Sequence, residues 1–464
     1  MAHTRHAPVN RALGRRSNCF VQRPERPRAR SRTVPYAPMP LRAIILGNGV
    51  AGTTAALELR RRDDRAEITL VSSESDYFFS RTGLMYALMG RMSLAELEPH
   101  ERPAYDRARI RRVRGRATDL DARARTLTLS TGEALSWDAL VLATGSVPRE
   151  IDAHGIKSVP RGVTSFVSLA NLAELEALIP STRHAVVVGG GLIGVELCEC
   201  LRHHGVSVTC VVRGPWFWPE GLGPEEGALV GRHLRARGVT LREGESLTEV
   251  GSDANGRVSS VKLSSGEMIS CALLGVAIGV EPNVRWLRGC ATPPRIDRGI
   301  VTDDRLATSL EGVWAAGDCA EVTTDAGPVI EPLWYAARRQ GAFVGRQLSG
   351  ASERYRPPLL VNSAKFFELE YTSVGPVGAH SEGLSSVLYE HPERAITVRL
   401  LHGPEGALQG FCALGSRWDT ELLSRWIDER RPMDFVRARL REAQFDHELG
   451  RAPLEAMRAR QVRS

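Results

Sequence analysis

Leu41-Arg42-Ala43-Ile44-Ile45-Leu46-Gly47-Asn48-Gly49-Val50-Ala51-Gly52 decides the fold. A short apolar run enters a loop with three spaced glycines, and Thr53–Arg62 continues as a helical pattern that ends in charge. In such a loop the first glycine permits the tight turn after a strand. The second lets backbone approach a pyrophosphate, and the third lets helix and strand pack closely. A second apolar run, Ile68–Val71, follows. Glu74, 22 residues past Gly52, lies beyond its tip, where a carboxylate can accept from ribose hydroxyls. Strand, glycine loop, helix, strand and acid in this order predict a Rossmann-type dinucleotide-binding unit.

The unit recurs at Ala185–Val188, Gly189–Gly194, Val195–His204 and Ser207–Val212. Each copy is followed by a second echo: Thr126–Gly145 and Ser260–Gly279 both read as an alternating strand, a Ser-Thr-Gly-Glu or Ser-Ser-Gly-Glu turn, and a buried strand ending in glycine. Two copies of one domain are implied. Beyond Gly279 no third unit begins. Gly312–Asp318 is one more apolar strand ending in Gly317-Asp318, and Leu333–Leu348 reads as a helix. These elements complete the first domain, so the second is inserted into it. Pro357-Pro358 opens a C-terminal α+β segment with strand-like runs at Ser386–Glu390, Ile396–Leu401 and Leu408–Ala413, and helical patterns at Thr420–Arg430 and Asp434–Ala443.

Composition narrows the function class. The chain is 42% hydrophobic and 25% charged, which is ordinary for a soluble protein, and no apolar run approaches the ~18 residues of a membrane span. The net charge is +7, yet residues 1–40 hold nine arginines and one acid, so the remainder is nearly neutral. That leaves no basic folded face for nucleic acid. The tail resembles a transit peptide in composition but reads better as an unstructured leader or an upstream start before Met39. Eight scattered cysteines, without a C-x-x-C pair or zinc spacing, fit a reducing cytoplasm and no metal site. Lysine occurs only at 157, 262 and 365, in an otherwise arginine-based chain.

The second strand of the second unit ends Val211-Val212-Arg213 with no acid. A carboxylate there would repel a 2′-phosphate, whereas Arg213 can bond one, so NADPH is allowed beside NADH. Arg213 is otherwise one of many surface arginines.

The ordered set Gly47–Gly52, Ala143-Thr144-Gly145, Gly189–Gly194 with Glu196, Gly279-Val280-Glu281-Pro282-Asn283 and Ala316-Gly317-Asp318 resembles the FAD-dependent pyridine nucleotide-disulfide oxidoreductase superfamily over residues 41–350. The resemblance implies an FAD domain at 41–150 and 280–356, an NAD(P) domain at 151–279 and an interface domain at 357–464. By the same resemblance Gly47, Gly49, Gly52 and Glu74 hold the ADP part of FAD, and Asp318, beside Gly317, its ribityl or pyrophosphate part. Gly189, Gly191, Gly194 and Arg213 hold NADPH or NADH, and Glu196 lies near nicotinamide and flavin. Ala143, Thr144, Gly145 and Gly279 mark the strand ends at the cofactors, and Trp334 stands on the helix beside the isoalloxazine.

Tyr77–Leu84 separates the branches. Disulfide reductases carry a cysteine pair on the helix after the first unit, and this chain has no cysteine between Cys19 and Cys198. Thr82 takes the place of the single cysteine found in related oxidases, and Arg81 can supply the cation that ferredoxin and rubredoxin reductases set against FAD. Several of those also pair a lysine with the acid matching Glu196, but Tyr86 sits near that place here. Cys319, next to Asp318, is the remaining thiol candidate and reads better as a buried packing residue. The expectation is an NAD(P)H oxidoreductase with Glu196 and Arg81 as catalytic residues, passing electrons to a ferredoxin- or rubredoxin-like protein or a small molecule, and compatible with a homodimer. A type II NADH:quinone reductase and a flavin-bound interaction protein with little turnover are the alternatives.

Overall fold

The computed structural model describes residues 39–325, 327–445 and 457–463. The arginine-rich tail at 1–38, with Cys19, lies outside the described residues. Two five-stranded parallel sheets carry the architecture. The first runs Val313–Ala315, Ala139–Leu142, Arg42–Leu46, Glu67–Ser72, Ile110–Arg114. The second runs Val239–Glu243, Ser207–Val212, His184–Val188, Leu273–Val276, Val163–Thr164.

In each sheet the strand that opens a glycine loop pairs on one side with the strand after its helix and on the other with the strand that closes the repeat. Each also has a three-stranded antiparallel appendage, at 117–136 and 247–270. The sequence echo is therefore a structural duplication. Val313–Ala315 returns to the first sheet after the second is complete, which makes the second an insertion.

The helix Val50–Arg62 buries Ala51, Ala55, Ala56 and Leu59 against the first sheet, and its last turn is Arg60, Arg61 and Arg62, which complements the helix dipole. Leu59 is fully buried, so truncating it would cost ~2–5 kcal/mol. The late helix Trp334–Leu348 crosses this one at close range because two glycines face it. A Cβ on Gly341 would stand 2.2 Å from the Ala51 carbonyl oxygen, and one on Gly345 2.8 Å from that of Ala55.

Helix starts differ slightly from expectation. The two dinucleotide helices begin at Val50 and Leu192 rather than Thr53 and Val195, because the middle glycine of each loop is already the N-cap. The C-terminal segment is a six-stranded antiparallel sheet in the order Val361–Phe366, Leu369–Val374, Leu408–Leu414, Thr397–His402, Ser385–Glu390, Arg458–Arg463, with helices Thr420–Asp428 and Met433–Arg439. Three of these strands are absent from the sequence reading, two of them at the sheet edges. This sheet docks on the second domain through aromatic contacts, Phe217 with Phe366 and Trp218 with Tyr371, at 5.9 and 5.3 Å between ring centres. A buried ion cluster adds to the joint: Arg399 donates to Glu226 at 2.7 Å and to Glu225 at 2.6 Å. Among the described residues no helix is long and apolar enough to cross a membrane.

Candidate functional site: two dinucleotide cradles and a carboxylate pair

Both glycine loops have the same shape. Gly47 and Gly189 have φ of +112° and +120°, and a Cβ on either would lie 2.0 or 2.1 Å from the carbonyl oxygen of Ala143 or Ala277. A Cβ on Gly52 or Gly194 would meet the carbonyl oxygen of Gly47 or Gly189 at 1.9 or 2.1 Å. The middle glycines are different, since a Cβ on Gly49 or Gly191 meets nothing within 4 Å. The outer glycines are thus consumed by packing, and the middle one faces open space at a helix N-terminus. Neither helix has a side-chain cap or an acid in its first turn, so the amide groups and dipole remain directed at that space. The arrangement fits the pyrophosphate of a bound dinucleotide at each loop.

The strand ends complete the first cradle. Thr144 Oγ1 donates to the Asn283 carbonyl at 2.9 Å, and Asn283 N donates to the Gly145 carbonyl at 2.9 Å. Short strands Ser146–Pro148 and Val280–Pro282 pair antiparallel here, so Gly145 and Gly279, both at positive φ, turn the chain between the two domains. Gly317 N donates to Gln340 Oε1 at 2.8 Å, and Ser146 Oγ donates to Asp318 at 2.7 Å. Burial raises the Asp318 carboxyl above its ordinary range, opposed by the Ser146 hydroxyl and the nearby Arg81 charge. Ser146 and Gln340 are positioning groups that the sequence reading missed.

Glu74 and Arg81 are brought together, but with one another. Arg81 donates to both Glu74 oxygens and to the Val167 carbonyl at 2.9 Å, and Leu169 N donates to Glu74 at 2.9 Å. The pair therefore fastens the loop after the second strand to the segment entering helix Leu169–Leu178. A ribose at Glu74 would share its carboxylate with these donors.

Thr82 Oγ1 and Ser80 Oγ are hydrogen-bonded at 2.9 Å. All seven described cysteines are buried. Cys319 Sγ donates to the Leu142 carbonyl at 3.3 Å, and burial pushes its thiol up. Trp334 is half-buried, edge-on to exposed Tyr335 at 5.3 Å, with the Arg338 guanidinium 5.6 Å from its ring centre. Arg213 stands exposed directly after Ser207–Val212.

Glu196 lies on the second dinucleotide helix, where burial pushes its carboxyl up to about 7, with Lys365 opposing and Glu199 adding to the rise. Lys365 Nζ donates to both Glu199 oxygens at 2.8 and 2.9 Å. Lys365 comes from the C-terminal sheet and stands 5.5 Å from the Tyr86 ring centre, but its hydrogen-bond partner is Glu199 and not Glu196. Its signal in the sequence was rarity, one of three lysines in the chain. Among the described residues no group of three or more His, Cys, Asp or Glu is placed to hold a metal ion.

Residues 41–341 match the family described as pyridine nucleotide-disulphide oxidoreductase. The ferredoxin reductase component of chlorobenzene dioxygenase from Cupriavidus sp. (strain PS12) is 32% identical over 312 residues, covering 66% of this chain and 74% of that protein. The ferredoxin–NAD(+) reductase subunit of a benzene 1,2-dioxygenase system from Pseudomonas putida is 29% identical over 396 residues, covering 83% and 92%. The crystal structure of a ferredoxin reductase from Rhodopseudomonas palustris superposes with a TM-score of 0.73 at 25% identity, covering 81% of this chain and 91% of that one. Two matched glycine cradles, the crossing strands between them and this span of similarity lead to one conclusion: the chain belongs to the pyridine nucleotide-disulphide oxidoreductase family and is an FAD-dependent NAD(P)H oxidoreductase.

Proposed function

We propose that this oxidoreductase passes electrons from NAD(P)H directly to a small external electron carrier of the ferredoxin or rubredoxin kind, with no thiol on the route. The observation that carries the reading is the Ser80–Thr82 hydroxyl pair at the place where thiol-using relatives keep a cysteine. A hydroxyl forms neither a disulfide nor a sulfenic acid. The remaining described thiols are buried, and Cys319 is held as a donor to a backbone carbonyl. The relatives named as ferredoxin reductases support the choice of acceptor.

In this reading residues 41–150 with 280–356 bind FAD, 151–279 bind the nicotinamide dinucleotide, and 357–464 form an interface domain. Flavin supplies the chemistry that joins a two-electron donor to one-electron acceptors. The chain's own residues do the rest. Gly47, Gly49 and Gly52 admit one pyrophosphate and Gly189, Gly191 and Gly194 the other. Asp318, held by Ser146 and reached through Gly317, accepts from hydroxyls of the flavin's polyol chain. Arg81 supplies positive charge beside it, and Trp334 with Tyr335 screens the flavin end from water. Glu196 holds or yields a proton beside the nicotinamide, and Arg213 meets the 2′-phosphate of NADPH. The test is anaerobic reduction with NAD(P)H followed by a plant-type ferredoxin or a rubredoxin. Alkylating accessible thiols should leave acceptor reduction unchanged. A thiolate-to-flavin charge-transfer band, lost in Cys319→Ser, would overturn the direct route.

A further inference from the structure

Glu196 and Glu199 stand one turn apart on the helix Leu192–His203, and the cation that binds the second of them comes from far along the chain. Lys365 lies in the strand Val361–Phe366 and binds Glu199 through both oxygens. Its placement is secured by the residues that follow it. Phe366 is fully buried against Phe217, Phe367 turns the hairpin at φ +57°, and Glu368 accepts from Arg237 at 2.9 Å on the helix side of the second domain. The hairpin is thus pinned to the nicotinamide domain at Phe366 and Glu368, on either side of its turn, and Lys365 is the residue just before the first of these anchors.

The charges around the pair are few. Glu199 and Cys200 share the helix, Tyr86 faces Lys365 from Leu84–Leu88, and Arg91 follows that segment. Arg91 acts on Cys200 and not on Glu196, so one ammonium stands against the two carboxylates and leaves an excess negative charge that a proton can cancel. A lysine suits this task better than arginine, because its compact charge attracts both acids without a fixed bidentate demand.

We propose that Lys365 is a positioning residue for the nicotinamide site. By binding Glu199 it fixes the carboxylate pair, and its charge decides whether Glu196 carries a proton when the dinucleotide arrives. The proposal rests on the reading that Glu196 faces the nicotinamide. It makes the C-terminal sheet a contributor to the redox site as well as an interface.

Infrared titration of the holoprotein tests it, following the protonated-carboxyl band that Glu196→Gln removes. In wild type this band should titrate near neutrality. Lys365→Met should move its midpoint up by roughly one pH unit, and Glu199→Gln should move it down, since the two substitutions delete opposite charges. Lys365→Arg should keep the wild-type midpoint to within a fraction of that shift, and it carries the test alongside Glu199→Gln if Lys365→Met folds poorly. Shifts in the same direction for Lys365→Met and Glu199→Gln, or none, would overturn the proposal. Adding NAD+ separates the two claims: if the midpoint responds to Lys365 but not to NAD+, the placement of Glu196 beside the nicotinamide fails while the lysine's role stands.

Discussion

Alanine at Gly47 and alanine at Gly49 should fail in different ways, although the two glycines are two residues apart in one loop. At Gly47 the backbone has φ +112°, and a Cβ would sit 2.0 Å from the Ala143 carbonyl oxygen. A conformation this far into glycine-only territory costs ~1–3 kcal/mol for any other residue. Relieving the overlap requires moving two strands of the first sheet, another ~1–3 kcal/mol. The sum of about 2–6 kcal/mol is a large share of the ~5–15 kcal/mol that holds a typical domain together. Gly49 has φ −68° and ψ −174°, allowed for any residue, and its Cβ would point into space. Gly49→Ala should therefore leave the apoprotein's melting temperature nearly unchanged. With FAD present it should interpose a methyl between the helix N-terminus and the pyrophosphate. Losing one charge-assisted N–H bond at ~1.5–3 kcal/mol predicts flavin binding weaker by roughly 10- to 150-fold. Thermal melting of apoprotein and flavin titration by fluorescence quenching read the two effects separately. A Gly49→Ala protein that retains wild-type FAD affinity, or a Gly47→Ala protein as stable as wild type, would refute the assignment of these roles.

Arg213→Ala should weaken NADPH relative to NADH by ~1.5–3 kcal/mol in kcat/KM, and an unchanged ratio would return Arg213 to the ordinary surface. Arg399→Met leaves Glu226, fully buried, without its cation. It should cost ~3–5 kcal/mol in the urea unfolding of the C-terminal sheet, whereas adding Glu226→Gln should recover part of that loss. Asp138, held by Arg42 through paired bonds of 3.0 and 2.7 Å, has its carboxyl lowered to about 2. A depressed carboxyl stabilises the fold above its unfolded pKa, near ~4, and loses that contribution as pH falls toward 2. Asp138→Asn should therefore lower the melting temperature slightly at pH 7, solvent screening keeping the effect small, and the difference should vanish in acid.

The parts of the fold that were legible are those whose constraint is local. Gly47 and Gly189 each stand at a positive-φ turn directly after a strand, so the spacing alone identified the loops, although the carbonyls that crowd them, Ala143 and Ala277, lie far along the chain; the shared Ser-x-Gly-Glu turns identified the duplication. The first edge strand, Val361–Phe366, alternates weakly because it is half-covered by the second domain. The last, Arg458–Arg463, reads RARQVR and has no apolar period at all. Pairing with Ser385–Glu390 holds that last strand through backbone bonds, which any side chain permits.

Long-range electrostatics was the least legible layer. Glu74 occupies a position where a ribose acid is expected, yet its nearest cation is Arg81, seven residues later, and its backbone donor is Leu169, 95 residues later. Lys365 is 166 residues from Glu199, and no pattern near either residue announces the pair. What could have pointed to it is chemical. In a chain whose cations are nearly all arginine, a lysine followed by two phenylalanines marks a charge whose compactness matters beside an anchor that buries. The same strand that places Phe366 in the aromatic joint with Phe217 and Trp218 must turn its preceding residue to the opposite side, toward the carboxylates, because successive side chains of a strand alternate. In the proposed reading, the docking of the C-terminal sheet and the charge of the nicotinamide site are linked by two adjacent residues. A substitution that loosens the aromatic joint, such as Phe366→Ala, should disturb Glu196 without touching it.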